Sequence, residues 1–272
     1  MSFDFEAVRA FERAGWQKAA GEYRATFAGA TQEFADALVD AAGVGRGCDA
    51  LDLCCGPGVA AAAAAARGAV ACGLDFSPAM LAQARASNPD LRFHQGDAEA
   101  VPLPDASFDA IVSNFGIHHV PRPERALTEA LRVLRPGGVL AFTTWAAPTH
   151  NIAWQLLFDA IRLHGDIDAA SSPPSGGGLG EAATVKRLLR DIGFAEASAK
   201  ILRREWRLAR AGDLIAALRR GTVRTAALIE AQHPAARLAI EAEIARRAGA
   251  YRRDGRYFIP LAAILGRGVK PR

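Results

Sequence analysis

Between residues 50 and 145 the chain alternates short apolar runs with segments of helical composition, and this alternation constrains the fold most. The apolar runs end near Cys54 ("ALDLC"), Asp75 ("AVACGLD"), Gly96 ("LRFHQG"), Asn114 ("DAIVSN") and Trp145 ("VLAFTTW"). Helical segments are expected at 58–67, 78–86 and 124–135. Strands joined by helices of that length run parallel, and a parallel sheet needs cover on both faces. Ser77 before Pro78 reads as an N-cap with proline at the first helical position. Gly68 closes an alanine-rich helix, and "RPGG" at 135–138 is expected to end the helix before the fifth strand. An α/β fold follows.

The flanks are mostly helical. Residues 3–42 read as two amphipathic helices leading into the sheet, and 151–164 as another after the fifth strand. "SSPPSGGGLG" (171–180) has loop composition and reads either as a plain linker or as a lid beside a ligand. An amphipathic helix at 181–194, a strand near 198–208, two helices within about 211–250 and a last strand near 256–265 complete the chain. The two late helices look like a cap inserted over the open end of the sheet. The expected organisation is one unit over 1–272. It comprises N-terminal helices (1–45), a ligand-binding core (46–145) and a remainder (146–272) carrying lid and cap.

Composition removes several classes of function. Half of the 272 residues are hydrophobic and 23% are charged, a balance that excludes disorder. No run approaches the ~20 apolar residues of a membrane span, and "MSFDFEAVRAFERAGW" lacks the apolar core of a signal peptide. A cytoplasmic protein is expected. Cys48, Cys54, Cys55 and Cys72 fit no zinc spacing, and adjacent Cys54 and Cys55 are poorly placed to bridge, so packed, reduced thiols are expected and no metal. The net charge of +4 invites a nucleic-acid reading. Lysine occurs only at 18, 186, 200 and 270, however, and the late arginines alternate with Glu and Ala in "RLAIEAEIARRAGAYRRDGR". That pattern is a solvated helix face.

"LDLCCGPGVAAAAAAARG" (51–68) carries the site. Ligands of open parallel sheets lie beyond the carboxyl ends of the strands, where strand order reverses. There "GPG" turns the chain, Gly56 and Gly58 leave room for a ligand against main chain, and the following helix offers free N–H groups. Gly56-x-Gly58-x-x-Ala61 also fits a loose dinucleotide fingerprint, weak by itself. Three acids argue otherwise. Asp52 stands inside the strand where a dinucleotide fold wants an apolar residue. Asp75 ends the second strand, placed to accept both hydroxyls of a ribose, and Asp97 ends the third, where a carboxylate accepts from an adenine amino group. One carboxylate for a sugar and one for a base suits a single nucleoside.

"LDLCCGPG", "GLDFSPAML", "GDAEAVPLPDASFDAIVSNFGIHHV" and "RVLRPGGVLAFTTW" resemble the successive motifs of class I S-adenosylmethionine-dependent methyltransferases. The closest likeness is to the small-molecule group that includes ubiquinone and menaquinone C-methyltransferases, over roughly residues 15–145. The resemblance implies a Rossmann-like, seven-stranded, mostly parallel sheet with the last strand antiparallel. It implies S-adenosyl-L-methionine as cofactor, with Gly56 and Gly58 beneath it, Asp75 on its ribose, and Asp97 with the Ala98 backbone on its adenine. Asp52 would hold the loop or reach the methionine amine through water; Cys54, Phe76, Met80, Asn114 and Tyr23 complete the expected contacts. Cys54 departs from the family pattern, which usually has glycine there.

Methyl transfer is an in-line displacement on an already activated cofactor, so the protein's work is positioning and exclusion of water. His118 and His119 are the titratable candidates in the loop after the fourth strand, either as a base for a phenol, amine or acidic carbon or as structural residues. Phe115, Trp16 and Tyr23 are pocket walls or packing, and Trp145 is core or cleft wall. The expected partner is a small-molecule acceptor, with no nucleic acid or membrane, on a monomer or homodimer. The competing readings are an NAD(P)-dependent oxidoreductase, which leaves Asp97 idle, and a non-catalytic cofactor-binding module on the same fold.

Overall fold

In the computed structural model, which describes residues 4–170 and 178–272, the chain opens on three helices: α1 (Phe5–Thr26), α2 (Ala28–Gln32) and α3 (Ala35–Ala41). Asp4 caps the first, its Oδ1 accepting from the Ala7 N–H at 3.0 Å. Two helices were expected over this stretch. The third arises because Phe27 and Phe34 interrupt the run and turn into the core, where both are buried.

Next come β1 (Asp49–Leu53), α4 (Val59–Ala66), β2 (Val70–Asp75), α5 (Pro78–Ser87), β3 (Arg92–Gln95), β4 (Phe108–Asn114), α6 (Pro123–Val133) and β5 (Leu134–Trp145). Ser77 caps α5 as expected, its hydroxyl accepting from the Met80 N–H at 3.3 Å. "RPGG" does not separate α6 from β5 as expected. β5 already begins at Leu134, and the ladder to β4 jumps from the pair Phe108–Leu134 to Ala110–Val139. Gly137, at φ 80°, absorbs that irregularity inside the strand.

The remainder is α7 (Ile152–His164), α8 (Ala182–Ile192), β6 (Ala195–Leu208), α9 (Gly212–Arg220), α10 (Arg224–Glu230), α11 (Pro234–Ala248), β7 (Arg252–Arg253) and β8 (Arg256–Val269). The cap thus has three helices where two were expected, since Gly221 stops α9 and Pro234 starts a separate α11. Residues 171–177 of the expected lid lie outside the described residues. Leu179 is buried, and its carbonyl accepts from the Thr144 hydroxyl at 2.7 Å, so this end of the segment is tied to β5.

One sheet runs β3-β2-β1-β4-β5-β8-β6. Strands β1 to β5 pair in parallel, and β8 is antiparallel to both β5 and β6, as expected of the last strand. The eighth strand is β7, a two-residue hairpin partner of β8.

The two faces differ in residue size. Ala50, Ala110, Val112 and Ala141 face α3 and α4, and Leu51, Leu53, Ile111, Leu140 and Phe142 face α6 and α8. Small side chains on both sides let the alanine helix α4 lie close to the strands. A third group of helices, α1, α2, α7 and α9–α11, closes over the strand ends in an aromatic-rich core. Phe27 sits at its centre, 5.5 Å from Trp206, 5.9 Å from Trp145 and 6.2 Å from Trp154 by ring centroids. Among the described residues no helix is long and apolar enough to cross a membrane.

Candidate active site

Strand order reverses between β1 and β4, so the chain diverges beyond Leu53 and Asn114 and opens a crevice there. A cavity with about 890 Å³ of empty space, mouth included, occupies it. The carboxyl ends of β1 and β2 form its floor. Gly56 has φ 50°, and a β-carbon there would meet nothing within 4 Å, so its main chain is open to a ligand.

Asp75 ends β2 at the cavity wall, 5% exposed. Its Oδ1 accepts from the Ser77 N–H at 2.9 Å and its Oδ2 from the Gly56 N–H at 2.8 Å. Burial pushes this carboxyl up to about 6, against the pull of the Ser77, Gly56 and Phe76 amides. Each oxygen keeps a lone pair for a further donor. Phe76 and Met80 line the wall beside it, and Asp97 and Ala98 the end of β3. Asp97 Oδ1 accepts from the Glu99 N–H at 2.9 Å, while Oδ2 lies 3.2 Å from Arg9 Nε.

Cys54, Asn114, Phe115, Tyr23, Trp16 and His119 line the opposite side. Phe115 stacks on Trp145, centroids 3.9 Å apart, so Trp145 backs the wall without lining the cavity. Tyr23 is buried and its hydroxyl sits 3.0 Å from Thr31 Oγ1; burial raises it to about 12. Asn114 is committed within the protein. Its amide donates to the Thr31 carbonyl at 3.0 Å and its Oδ1 accepts from the Thr143 hydroxyl at 2.8 Å, so it ties α2 to β5.

Three expected residues do not line the cavity. Gly58 caps α4 at φ 82° and faces Phe93, which a β-carbon would meet at 2.9 Å; its smallness serves helix–strand packing. Asp52 is 2% exposed and its Oδ2 accepts from the Ala61 N–H at 2.8 Å, so it anchors α4. Its Oδ1 has no hydrogen-bond partner among the described residues. His118 does not line the cavity, and its Nδ1 is buried with no hydrogen-bond partner among the described residues; burial, then His119 and Arg224, hold it well below the usual imidazole range.

Asp52 is pushed up to about 8, chiefly by burial, with the charge of Asp75 acting in the same direction and the Ala61 and Ala60 amides against it. Its folded-state value lies above that of an unfolded aspartate, so the fold binds the extra proton and stability falls as pH rises between about 4 and about 8. Asp75 contributes in the same sense only up to about 6. Asp52→Asn, which keeps an acceptor for the Ala61 N–H, should therefore flatten the decline between pH 6 and 8. Urea unfolding of both proteins across that window measures the difference. Parallel profiles would show that Asp52 is ionised in the fold.

Four residues of α1 line the cavity: Arg9, Glu12, Trp16 and Tyr23. None of 211–250 does, so the cap helices do not roof it as expected. They pack outside α1, and Arg224 Nε of α10 donates to Glu12 Oε1 in the cavity wall at 2.7 Å. Sequence reading had not selected Arg9 or Glu12. The available signal was periodicity: Glu12 stands four residues after Val8 and four before Trp16, on the buried stripe that continues to Ala19 and Tyr23.

Residues 51–142 match a family described as "Methyltransferase domain". By sequence, this segment is a methyltransferase domain. Demethylmenaquinone methyltransferase of Renibacterium salmoninarum is 40% identical over 121 residues, 44% of this chain and 51% of the relative. Malonyl-[acyl-carrier protein] O-methyltransferase of Enterobacter lignolyticus is 40% identical over 126 residues, 45% of this chain and 50% of the relative. The chain spans about half the length of these curated relatives. In fold the likeness reaches further. A putative methyltransferase from an antibiotic biosynthesis pathway of Anabaena variabilis superposes with a TM-score of 0.59 at 18% identity, over 85% of this chain and 95% of that one. The class I methyltransferase resemblance thus stands for the motif half in sequence and for nearly the whole chain in fold.

Proposed function

We propose that this protein transfers a methyl group from S-adenosylmethionine to a small-molecule acceptor. The observation that carries the reading is the shared void: Gly56, Asp75, Asp97 and Phe115, from four different strand ends, all line one cavity. The open main chain at Gly56 and the two carboxylates fit a nucleoside. S-adenosylmethionine supplies an electrophilic methyl group on a sulfonium sulfur. Asp75 holds the sugar hydroxyls with lone pairs that Gly56 and Ser77 leave free. Asp97 and the Ala98 backbone receive the base edge, with Phe76 and Met80 as apolar flanks. Trp16, Tyr23 and Phe115 keep water from the reacting end, where charge is lost and an apolar wall is favourable.

The two relatives named above carry chemically different acceptors in their names, so their likeness supports methyl transfer and leaves the acceptor open. A cytoplasmic enzyme without a nucleic-acid substrate remains part of the proposal. Thermal unfolding with S-adenosylhomocysteine, NAD and NADP tests it. A ligand at 100 times its Kd adds about 2.7 kcal/mol, on the order of 5–10 °C for a chain of this size. Stabilisation by S-adenosylhomocysteine alone is expected. Stabilisation by a nicotinamide dinucleotide alone would make this an oxidoreductase. Binding of S-adenosylhomocysteine without turnover of any acceptor would support a non-catalytic module.

A further inference from the structure

The arginines of "YRRDGR" (251–256) were expected on a solvated helix face, yet they stand on β7 and at the start of β8. There they meet "RREWR" (203–207) of β6. The two stretches hold six arginines against Glu205 and Asp254, an excess equal to the net charge of +4 on the whole chain. Residues paired directly across an antiparallel ladder share a face, so the register sets each direction. Arg203 pairs with Ala262, Glu205 with Pro260, Arg207 with Phe258 and Arg253 with Arg256. Arg256 and Phe258, two residues apart on β8, also share a face. Arg203, Glu205, Arg207, Arg253 and Arg256 thus stand together, and all five are exposed. The opposite face carries Trp206, Leu208, Ile259 and Leu261 into the aromatic-rich core.

This ribbon lies at the cavity end of the sheet. β5 stops at Trp145, opposite Ala263, so β8 from Arg256 to Ala262 reaches past the carboxyl end of the parallel strands. On the arginine face α8 covers β8 farther along, where a β-carbon at Gly266 would meet Val185 at 2.7 Å. Arg253 is satisfied within the ribbon, 2.6 Å from Glu205 and 4.3 Å above the centroid of the Phe258 ring. Arg203, Arg207 and Arg256 make no ion pair or side-chain hydrogen bond among the described residues. Arg256 also stands directly opposite Arg253, and like charges so placed are destabilising. The fold keeps that repulsion.

We infer that this ribbon face docks an acidic helix of a partner protein. Arg203 and Arg207 are four residues apart on one strand, about 13 Å. Arg256 lies diagonal to Arg207, at about 7–8 Å. Glu205 stands between Arg203 and Arg207 on the same face. A helix with acids two turns apart, about 11 Å along its axis, reaches both arginines and sets a neutral turn over Glu205. A phosphate chain laid along the strand would instead bring its own charge onto Glu205, and an anionic lipid surface would cover it. That carboxylate favours discrete acids over a continuous anion. The docked helix seats its protein at the end of the sheet where the cavity opens. The site is independent of the methyl-transfer reading.

The probe is a fluorescent alanine-based peptide helix with glutamate pairs two turns apart, read by anisotropy at low and at high salt. It should bind the parent, and added salt should weaken binding because the arginines are exposed. Reversing charge with Arg207→Glu and Arg256→Glu together should weaken it at least ~10-fold. The control pair, Arg125→Glu with Arg187→Glu, makes the same charge change at exposed positions of α6 and α8 and should cost less than about twofold. Circular dichroism verifies folding of both variants. Failure of the peptide to bind the parent overturns the inference, as does equal loss in the two pairs. Ribbon-dependent binding of oligothymidylate or of phosphatidylglycerol vesicles, stronger than that of the peptide, overturns the acidic helix as occupant.

Discussion

Replacing Asp75 with alanine is expected to weaken S-adenosylhomocysteine binding by roughly 30- to 150-fold, about 2–3 kcal/mol for a charge-assisted two-point contact. The same change strips the Gly56 and Ser77 amides of their shared acceptor, so part of the loss comes from a loosened glycine turn. Asp75→Asn separates the two effects, because it keeps the volume and one acceptor oxygen while losing the charge. Calorimetry on both variants, with circular dichroism to verify folding, reads the result. Binding also carries a pH signature. Sugar hydroxyls favour the ionised carboxylate, and Asp75 is held at about 6, so affinity should hold above that pH and fall as pH drops through it. Unchanged affinity in Asp75→Ala would remove Asp75 from the sugar site.

The strand ends could be read from the sequence because each parallel strand is a buried apolar run stopped by a polar residue or glycine: Asp75, Gly96 and Asn114 all fall at or next to observed ends. Ser77-Pro78 was equally readable, since capping is local chemistry. Side-chain direction was not. Gly56 and Gly58 look equivalent in the sequence, yet one faces the cavity and the other faces Phe93. Asp52 and Asp75 are both strand acids, yet Asp52 spends its one bonded oxygen on the Ala61 amide beneath the loop. The roof was hidden for another reason. Glu12 acquires meaning from His119 and Arg224, 107 and 212 residues away, and no local pattern encodes such pairings. The cap helices lie outside the cavity and α1 lines it, because position in sequence order does not reveal which layer a helix joins.

The departure at Cys54 has a structural counterpart, and it sets the last expected result. Cys54 adopts φ 57°, a left-handed conformation that glycine enters freely and that costs a residue with a β-carbon roughly 1–2 kcal/mol. Its β-carbon packs directly against Gly116, where an added β-carbon would overlap Cys54 Cβ and also stand 2.9 Å from Ser113 Oγ and 3.1 Å from the Cys54 carbonyl. A side chain at 54 therefore requires none at 116. Gly116→Ala should destabilise the fold by roughly 2–3 kcal/mol, since the turns after β1 and β4 are held by the Cys55 amide on the Leu74 carbonyl and the Phe115 amide on the Thr143 carbonyl and retreat only at a cost. Cys54→Gly alone should be nearly neutral, as relief of the strained backbone offsets the lost contacts of a half-buried side chain. In the double variant the overlap disappears and only the two milder contacts remain. The pair should then be coupled by at least about 1 kcal/mol in favour of the double variant. Urea unfolding of the four proteins closes this cycle, and S-adenosylhomocysteine affinity, measured alongside, should recover with stability because both residues border the cavity. Strict additivity would mean that the two loops yield independently, and that the cysteine sits there without constraint from its neighbour.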